Sequence, residues 1–383
     1  MLLHRHAITC CNRQIRRQLG TRVVESQGSS SHPAEWKRLP GEELLQKHRL
    51  LRLGTSSGIS HVAGHRSYVL MGDAARLERA VLMWTMRQLV KHHSFAPVMV
   101  PNLVYDDIVK SCGFDPHGER TQVYSIRGNF GQRDLPRMGT CDKSSDIKDH
   151  GGNKSQVRRG GRSICLSGTS EIPLVSLHIG KTFDPDSDRV EDHLPKKYCA
   201  LSRCYRAETG NVEKGLYRVH YFNKVEMVAL TRSGESEEMM ESFVKIQESL
   251  FTSLGLEYRR VQIPKEDLGP AAKTKVDLEA LFPSRGSYGE ISSASDCVDN
   301  QCSNLNIRYR RLVTQQELVN LRPEDQEPFV TQFAHSVNAT AAATPRLLLP
   351  IIESHQDPDG RIRIPTVLQP LMDGQMFIQP LNV

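Results

Sequence analysis

Between Gly72 and His92 the apolar residues recur at the spacing of one helical face. Leu77, Ala80, Val81 and Trp84 fall three or four apart, and Asp73 is placed to cap. Similar segments run from Ser236 to Leu254 and from Ala341 to Glu353, with a short one from Glu42 to Arg52. Elsewhere the period falls to two. Phe95 to Val100, closed by Pro101, reads as a short strand, and Tyr198 to Glu208 and Arg218 to Leu230 as longer ones separated by a polar, Gly-bearing loop. Ala280 to Ser293 carries turn signals and a short strand, Phe333 to Thr340 alternates, and Asp357-Pro-Asp-Gly360 turns the chain into Arg361–Ile364. Hairpins that follow one another without β-α-β alternation predict an α+β fold, an antiparallel sheet flanked by helices.

Two stretches break these patterns. Arg137 to Ser163 has almost nothing apolar to bury and reads as a disordered surface insertion. Its basic residues also allow an RNA-touching loop. Met1 to Val24 contains no Asp or Glu but five arginines, the composition of a mitochondrial import leader, and Ser26 to Pro33 is a polar linker. The expected division is a presequence and linker over residues 1–30 and one folded domain over 40–383, with a destination in the mitochondrial matrix.

Composition adds limits. At 38% apolar the chain can build a sizeable core, and the longest apolar run, Leu347 to Ile352, is far too short to span a membrane. The net charge of +6 fits a nucleic-acid-facing protein without identifying one. Nine cysteines without a Cys-x-x-Cys pair fit reduced thiols better than a disulfide framework or a zinc cage.

The alternation also sorts the polar residues. His220, Phe222, Lys224 and Glu226 share one strand face while Val219, Tyr221, Val225 and Met227 share the other. Cys204, Arg206 and Glu208 align likewise, Thr169 and Glu171 are two apart, and so are Glu290 and Ser292. Charges on a strand this apolar are either a solvated face with ordinary ion pairs or a ligand site. Arg346, after Pro345 in the first turn of the expected 341–353 helix, suits a phosphate. There is neither a P-loop nor a dinucleotide fingerprint, so any nucleotide must be held by side chains on the sheet.

These residues carry a resemblance. Cys204-Tyr-Arg-Ala-Glu-Thr-Gly and Gly215-Leu-Tyr-Arg-Val-His-Tyr-Phe-Asn-Lys-Val-Glu-Met resemble motif 2 of the class II aminoacyl-tRNA synthetases, in its seryl form. Thr169-Ser-Glu171 is similar to that family's serine-binding signature, and Gly289-Glu-Ile-Ser-Ser-Ala-Ser295 to its ATP and metal segment. Val337-Asn-Ala-Thr-Ala341 through Pro345-Arg346 resembles motif 3 of the animal mitochondrial branch, and the helix from Asp73 to Pro101 resembles motif 1, which builds a dimer interface.

The resemblance implies roles. Arg206 would hold the α-phosphate of ATP and Arg346 the γ-phosphate. Phe222 would stack on adenine, Glu208 would touch it, and Glu290 would bind Mg²⁺ with Ser293 beside it. Thr169, Glu171, Glu226 and Thr340 would line the pocket for L-serine. Arg206, Arg346 and Glu290 would be the catalytic set of a serine–tRNA ligase acting on mitochondrial tRNA(Ser) as a homodimer, without a membrane role. A tRNA(Sec)-like substrate would require recognition independent of the family's coiled-coil arm.

Two departures stand out. Only about 35 residues precede the matching part, too few for the family's long N-terminal coiled-coil arm at 1.5 Å per helical residue. Where the family continues Ser-Asn-x-x-Asp-Phe-Gln-x-Arg-Arg, this chain carries Asp296, Asn300, Ser303 and Asn304, about three charges more negative. Beside the ligase stand two other readings. One is a non-charging paralogue acting as a mitochondrial interaction partner, the other an arm-less ligase that loads a carrier protein.

Overall fold

The computed structural model describes residues 22–27, 36–55, 58–116, 123–126, 163–208, 215–313 and 329–382. The insertion expected at 137–163 lies outside these, apart from Ser163, and so does the presequence before residue 22.

An eight-stranded sheet organises the chain. Its order is Arg22–Gln27, Tyr258–Gln262, Thr274–Phe282, Ser287–Val298, His335–Thr344, Tyr221–Thr231, Lys196–Tyr205 and Ala96–Pro97. Neighbours run antiparallel except the last pair. The helices Gly72–His93 and Ser236–Ser253 bury one face of it. Leu77, Val81 and Phe243 pack there with Val225, Met227, Ala229, Leu278 and Ala339. A second apolar cluster, including Ile172, Val175, Phe183, Val228, Leu230 and Ile307, covers part of the opposite face. Between that cluster and the strand ends the sheet is left open as a cavity.

Several expected elements differ in extent. The strand forecast over Phe95–Val100 is regular only at Ala96–Pro97, beyond which the Val98 N–H makes one further bond to the Cys199 carbonyl at 2.8 Å. The first short helix stops at Lys47, and Leu51–Leu53 pairs instead with Tyr68–Leu70. Asp73 is not a cap: Met71 holds that place, and the Asp73 carboxylate accepts from Arg76, Gln375 and the Gln379 backbone. Arg22–Gln27, which spans the end of the expected leader and the start of the linker, pairs antiparallel with the strand Tyr258–Gln262.

The largest revision is at the end of the chain. The helix expected from Ala341 begins only at Leu348 and runs to Ser354, because Ala341–Thr344 completes the central strand His335–Thr344. Helix propensity there yields to two neighbouring strands that satisfy the backbone. Arg346 therefore sits in the turn between strand and helix rather than in a helical first turn. The alternating run from Phe333 is likewise two strands, Phe329–Phe333 and His335–Thr344, parted at Ala334.

Candidate active site

The strand Tyr221–Thr231 supplies the floor of a cavity of about 270 Å³. Phe222, Lys224 and Glu226 line it, as the period of two required, while Val225 and Met227 enter the helix-covered core. Before Tyr221 the alternation fails, since Val219 lines the cavity and His220 instead meets the Tyr124 hydroxyl at 2.8 Å. The strand expected to start at Arg218 is regular only from Tyr221; Gly215–Tyr217 forms a 3-10 turn beforehand. Each candidate site residue lines this one cavity: Thr169, Glu171, Arg206, Glu208, Phe222, Glu226, Glu290, Ser293, Thr340 and Arg346.

The cavity has two chemically distinct ends. At one, the Arg206 guanidinium lies 5.0 Å from the Phe222 ring centroid and its Nε donates to the Gly168 carbonyl at 3.4 Å. Glu208 pairs with Arg218 at 3.1 Å. Arg346 stacks 4.5 Å from the Tyr217 ring, donates from Nε to the Tyr217 carbonyl at 3.2 Å, and lies 3.7 Å from Glu290. Two guanidiniums, one against Phe222 and one against Tyr217, suit a phosphorylated, planar ligand.

At the other end the charges are buried. Lys224 pairs with Glu226 and donates to Thr169 Oγ1 at 2.7 Å. Thr340 donates to Glu226 at 3.4 Å. Glu171 opens the short helix Glu171–Ser176, and its backbone N–H reaches Thr169 Oγ1 at 3.2 Å. Its carboxylate accepts from Gln301 at 2.6 Å and Asn338 at 2.9 Å. Burial first, and the nearby Glu226 second, push the Glu171 carboxyl up to about 7. A carboxylate held at that cost is poised for a cation.

A bulge interrupts the strand parity beside this wall. Leu278 pairs with Ser292 but Glu279 with Glu290, so Ile291 is an extra residue in a β-bulge. Glu290 and Ser293, three apart, thereby share the cavity wall, while the Ser292 hydroxyl turns to the Thr340 carbonyl and receives Gln247. A matching bulge at Ala341 brings both Thr340 and Ala343 to the wall.

Sequence reasoning also missed Lys224 as the partner of Glu226, and Gln301 and Asn338 as donors to Glu171. Lys224 was visible through its parity with Glu226, whereas Gln301 comes from a helix 130 positions away from its partner. The four departures at 296–304 avoid the cavity, since none of Asp296, Asn300, Ser303 and Asn304 lines it. Asp296 is buried on the helix side of the sheet, where it accepts from Ser236 at 3.0 Å.

The family model for the tRNA synthetase class II core domain (G, H, P, S and T) matches residues 154–355. The mitochondrial serine–tRNA ligase of Bos taurus is 34% identical over 345 residues, covering 89% of this chain and 56% of that protein. The serine–tRNA ligase of Treponema denticola is 33% identical over 81% of this chain and 61% of its own length. The chain thus spans little more than half of the mitochondrial relative. Among solved structures, seryl-tRNA synthetase from Pyrococcus horikoshii complexed with ATP superposes with a TM-score of 0.70 at 28% identity, over 91% of this chain and 65% of that one. Cytoplasmic serine–tRNA ligase from Naegleria fowleri in complex with AMP gives 0.72 at 29%, over 94% and 66%.

Proposed function

The chain belongs to the class II aminoacyl-tRNA synthetases of the seryl type, and from that premise we propose that it activates serine with ATP and transfers the seryl group to mitochondrial tRNA(Ser). One observation carries the reading: a single cavity joins an arginine-and-aromatic end to one built from buried carboxylates and hydroxyls. The relatives' names, serine–tRNA ligase, and the ATP and AMP bound in the two solved structures agree with it.

In this mechanism Phe222 stacks on adenine, with Glu208 at its edge. Arg206 meets the α-phosphate and Arg346 the γ-phosphate. Glu171 and Glu226 take the serine ammonium, with Thr169 and Thr340 beside the hydroxyl. The serine carboxylate oxygen attacks the α-phosphorus in line, pyrophosphate leaves, and seryl-adenylate forms. A terminal ribose hydroxyl of the tRNA then takes the acyl group, releasing AMP. Both steps depend on positioning and on guanidinium charge rather than on a side-chain general base.

The Glu290 carboxylate and Ser293 hydroxyl are hard oxygen donors on one wall, which fits Mg²⁺. When bound, the ion would neutralise phosphate charge. Among the described residues no three His, Cys, Asp or Glu side chains gather as a metal cage. Such an ion would therefore depend largely on the nucleotide for its ligands. Apolar Met83 and Val90 on the Gly72–His93 helix, with Met99 beyond it, are exposed and support a homodimer through that face. The acid-free N-terminus and the mitochondrial relatives support a mitochondrial location.

Serine-dependent ATP–pyrophosphate exchange, followed by charging of mitochondrial tRNA(Ser), tests the proposal. Arg206→Ala should lower exchange by about 10²–10³-fold, the usual cost of one lost transition-state donor. Exchange that proceeds as fast with threonine or alanine as with serine would overturn the substrate. Exchange without charging would overturn the ligase step, and no exchange at all would favour the non-charging paralogue.

A further inference from the structure

Glu42 lies in the short helix Gly41–Lys47, outside the cavity and 174 positions before the turn it touches. Its carboxylate accepts the Leu216 backbone N–H at 2.6 Å. The fit there is tight: a Cβ added at Gly215, whose φ is +81°, would stand 2.2 Å from the same carboxylate oxygen. The Gly215–Tyr217 turn is therefore moulded against Glu42, and only glycine fits at its first position.

That turn holds the nucleotide end of the site together. The Tyr217 carbonyl receives Arg346 Nε, its ring lies beneath the Arg346 guanidinium, and its hydroxyl donates to the Glu290 carbonyl at 3.0 Å. Gly289 makes the last contact possible, because a Cβ there would come within 3.1 Å of the Tyr217 hydroxyl. Glu42 is itself anchored. Its helix starts at Gly41, whose N–H donates to Glu353 at 3.0 Å, and the second Glu353 oxygen accepts from Ser284 at 3.0 Å.

We propose that Glu42 is a positioning residue for the nucleotide end of the cavity, setting Arg346 and Glu290 through the Gly215–Tyr217 turn without touching the substrate. The inference rests on that end binding the triphosphate. Glu42 acts as a hydrogen-bond acceptor across a long chain separation, so its effect belongs to ATP and not to serine. Without it the turn loses the Leu216 hydrogen bond that ties it to the Gly41–Lys47 helix and holds Tyr217 in register with Arg346.

The test compares the full chain with Glu42→Ala, Glu42→Gln and the exposed neighbour Glu43→Ala. Glu42→Ala should raise the KM for ATP about tenfold, the scale of one charge-assisted hydrogen bond. It should leave the KM for serine within about twofold, on the same scale. Glu42→Gln keeps an acceptor oxygen and should restore ATP binding, and Glu43→Ala should match the wild type. Amide hydrogen exchange at residues 216–218, measured without nucleotide, should accelerate in Glu42→Ala alone. The inference is overturned if both KM values rise together with a fall in Tm that Gln does not rescue, or if neither KM changes. If the wild type catalyses no serine-dependent exchange, the ligase reading fails by itself. Calorimetry with ATP then decides Glu42: about tenfold weaker binding in Glu42→Ala supports it, and equal binding or none in either protein overturns it.

Discussion

On the Tyr221–Thr231 strand, consecutive residues obey opposite rules. Val225, Met227 and Ala229 face the two long helices, fully buried among apolar neighbours. Lys224 and Glu226, equally enclosed, face the cavity and each other. The first face returns free energy through burial alone. The second gives up hydration that the ion pair only partly recovers. A chain selected for stability alone would have made both faces alike, and the contrast marks where binding rather than folding decided the residue.

The sharpest way to break this contrast is at the ion pair. Glu226→Ala leaves Lys224 buried beside Thr169 without its counter-charge and should cost about 3–5 kcal/mol in urea unfolding. Replacing both Lys224 and Glu226 by Met should recover that loss while serine-dependent exchange stays absent. If the double variant is no more stable than Glu226→Ala, the charges serve folding and the contrast fails. On the opposite face, Met227→Ala should cost about 2–4 kcal/mol of stability through the cavity it leaves. Its KM values, measured below the lowered Tm, should match the wild type; a selective rise in the serine KM would show that the two faces are not separable.

The smallest effect is the most specific. Because the Glu171 carboxyl is raised to about 7, chiefly by burial, it is largely protonated in the free protein at pH 6. If Glu171 takes serine's ammonium as proposed, binding requires the carboxylate, so serine affinity should rise as pH climbs toward 7 and then level off, changing up to about tenfold per unit below it. For folding the sign is opposite. Stability from this group is fully present below the ordinary carboxylate range and is lost as pH rises through about 7. Calorimetric serine titrations from pH 5.5 to 8 should show proton release below 7, and Glu171→Gln should flatten the profile. A wild-type profile already flat would remove Glu171 from the ammonium site.

Much of the site was legible because it is written in local periods. Alternation placed Phe222, Lys224 and Glu226 on one face, and the motif spacings put Arg206, Glu208, Thr169 and Glu171 nearby. What alternation cannot register is an extra residue. The bulges at Ile291 and Ala341 shift the parity of two strands, so Ser293 joins Glu290 and Ser292 on the cavity wall while the Ser292 hydroxyl is taken up by the Thr340 carbonyl. Local propensity also overran at Ala341–Thr344, where pairing on both sides outweighs a helix-favouring composition.

The sequence by itself determined which residues are chemically able to act, their order, and the antiparallel α+β class. Those properties follow from side-chain type and from periods of two and 3.6, which need only neighbouring residues. The tertiary structure alone decided which of them meet. Gln301 and Asn338 on Glu171, Glu42 on Leu216, and Asp296 turned toward Ser236 are contacts across long chain separations. Such pairs arise because buried polar groups must find partners wherever the packed chain supplies them, a condition on the whole fold that no local pattern encodes.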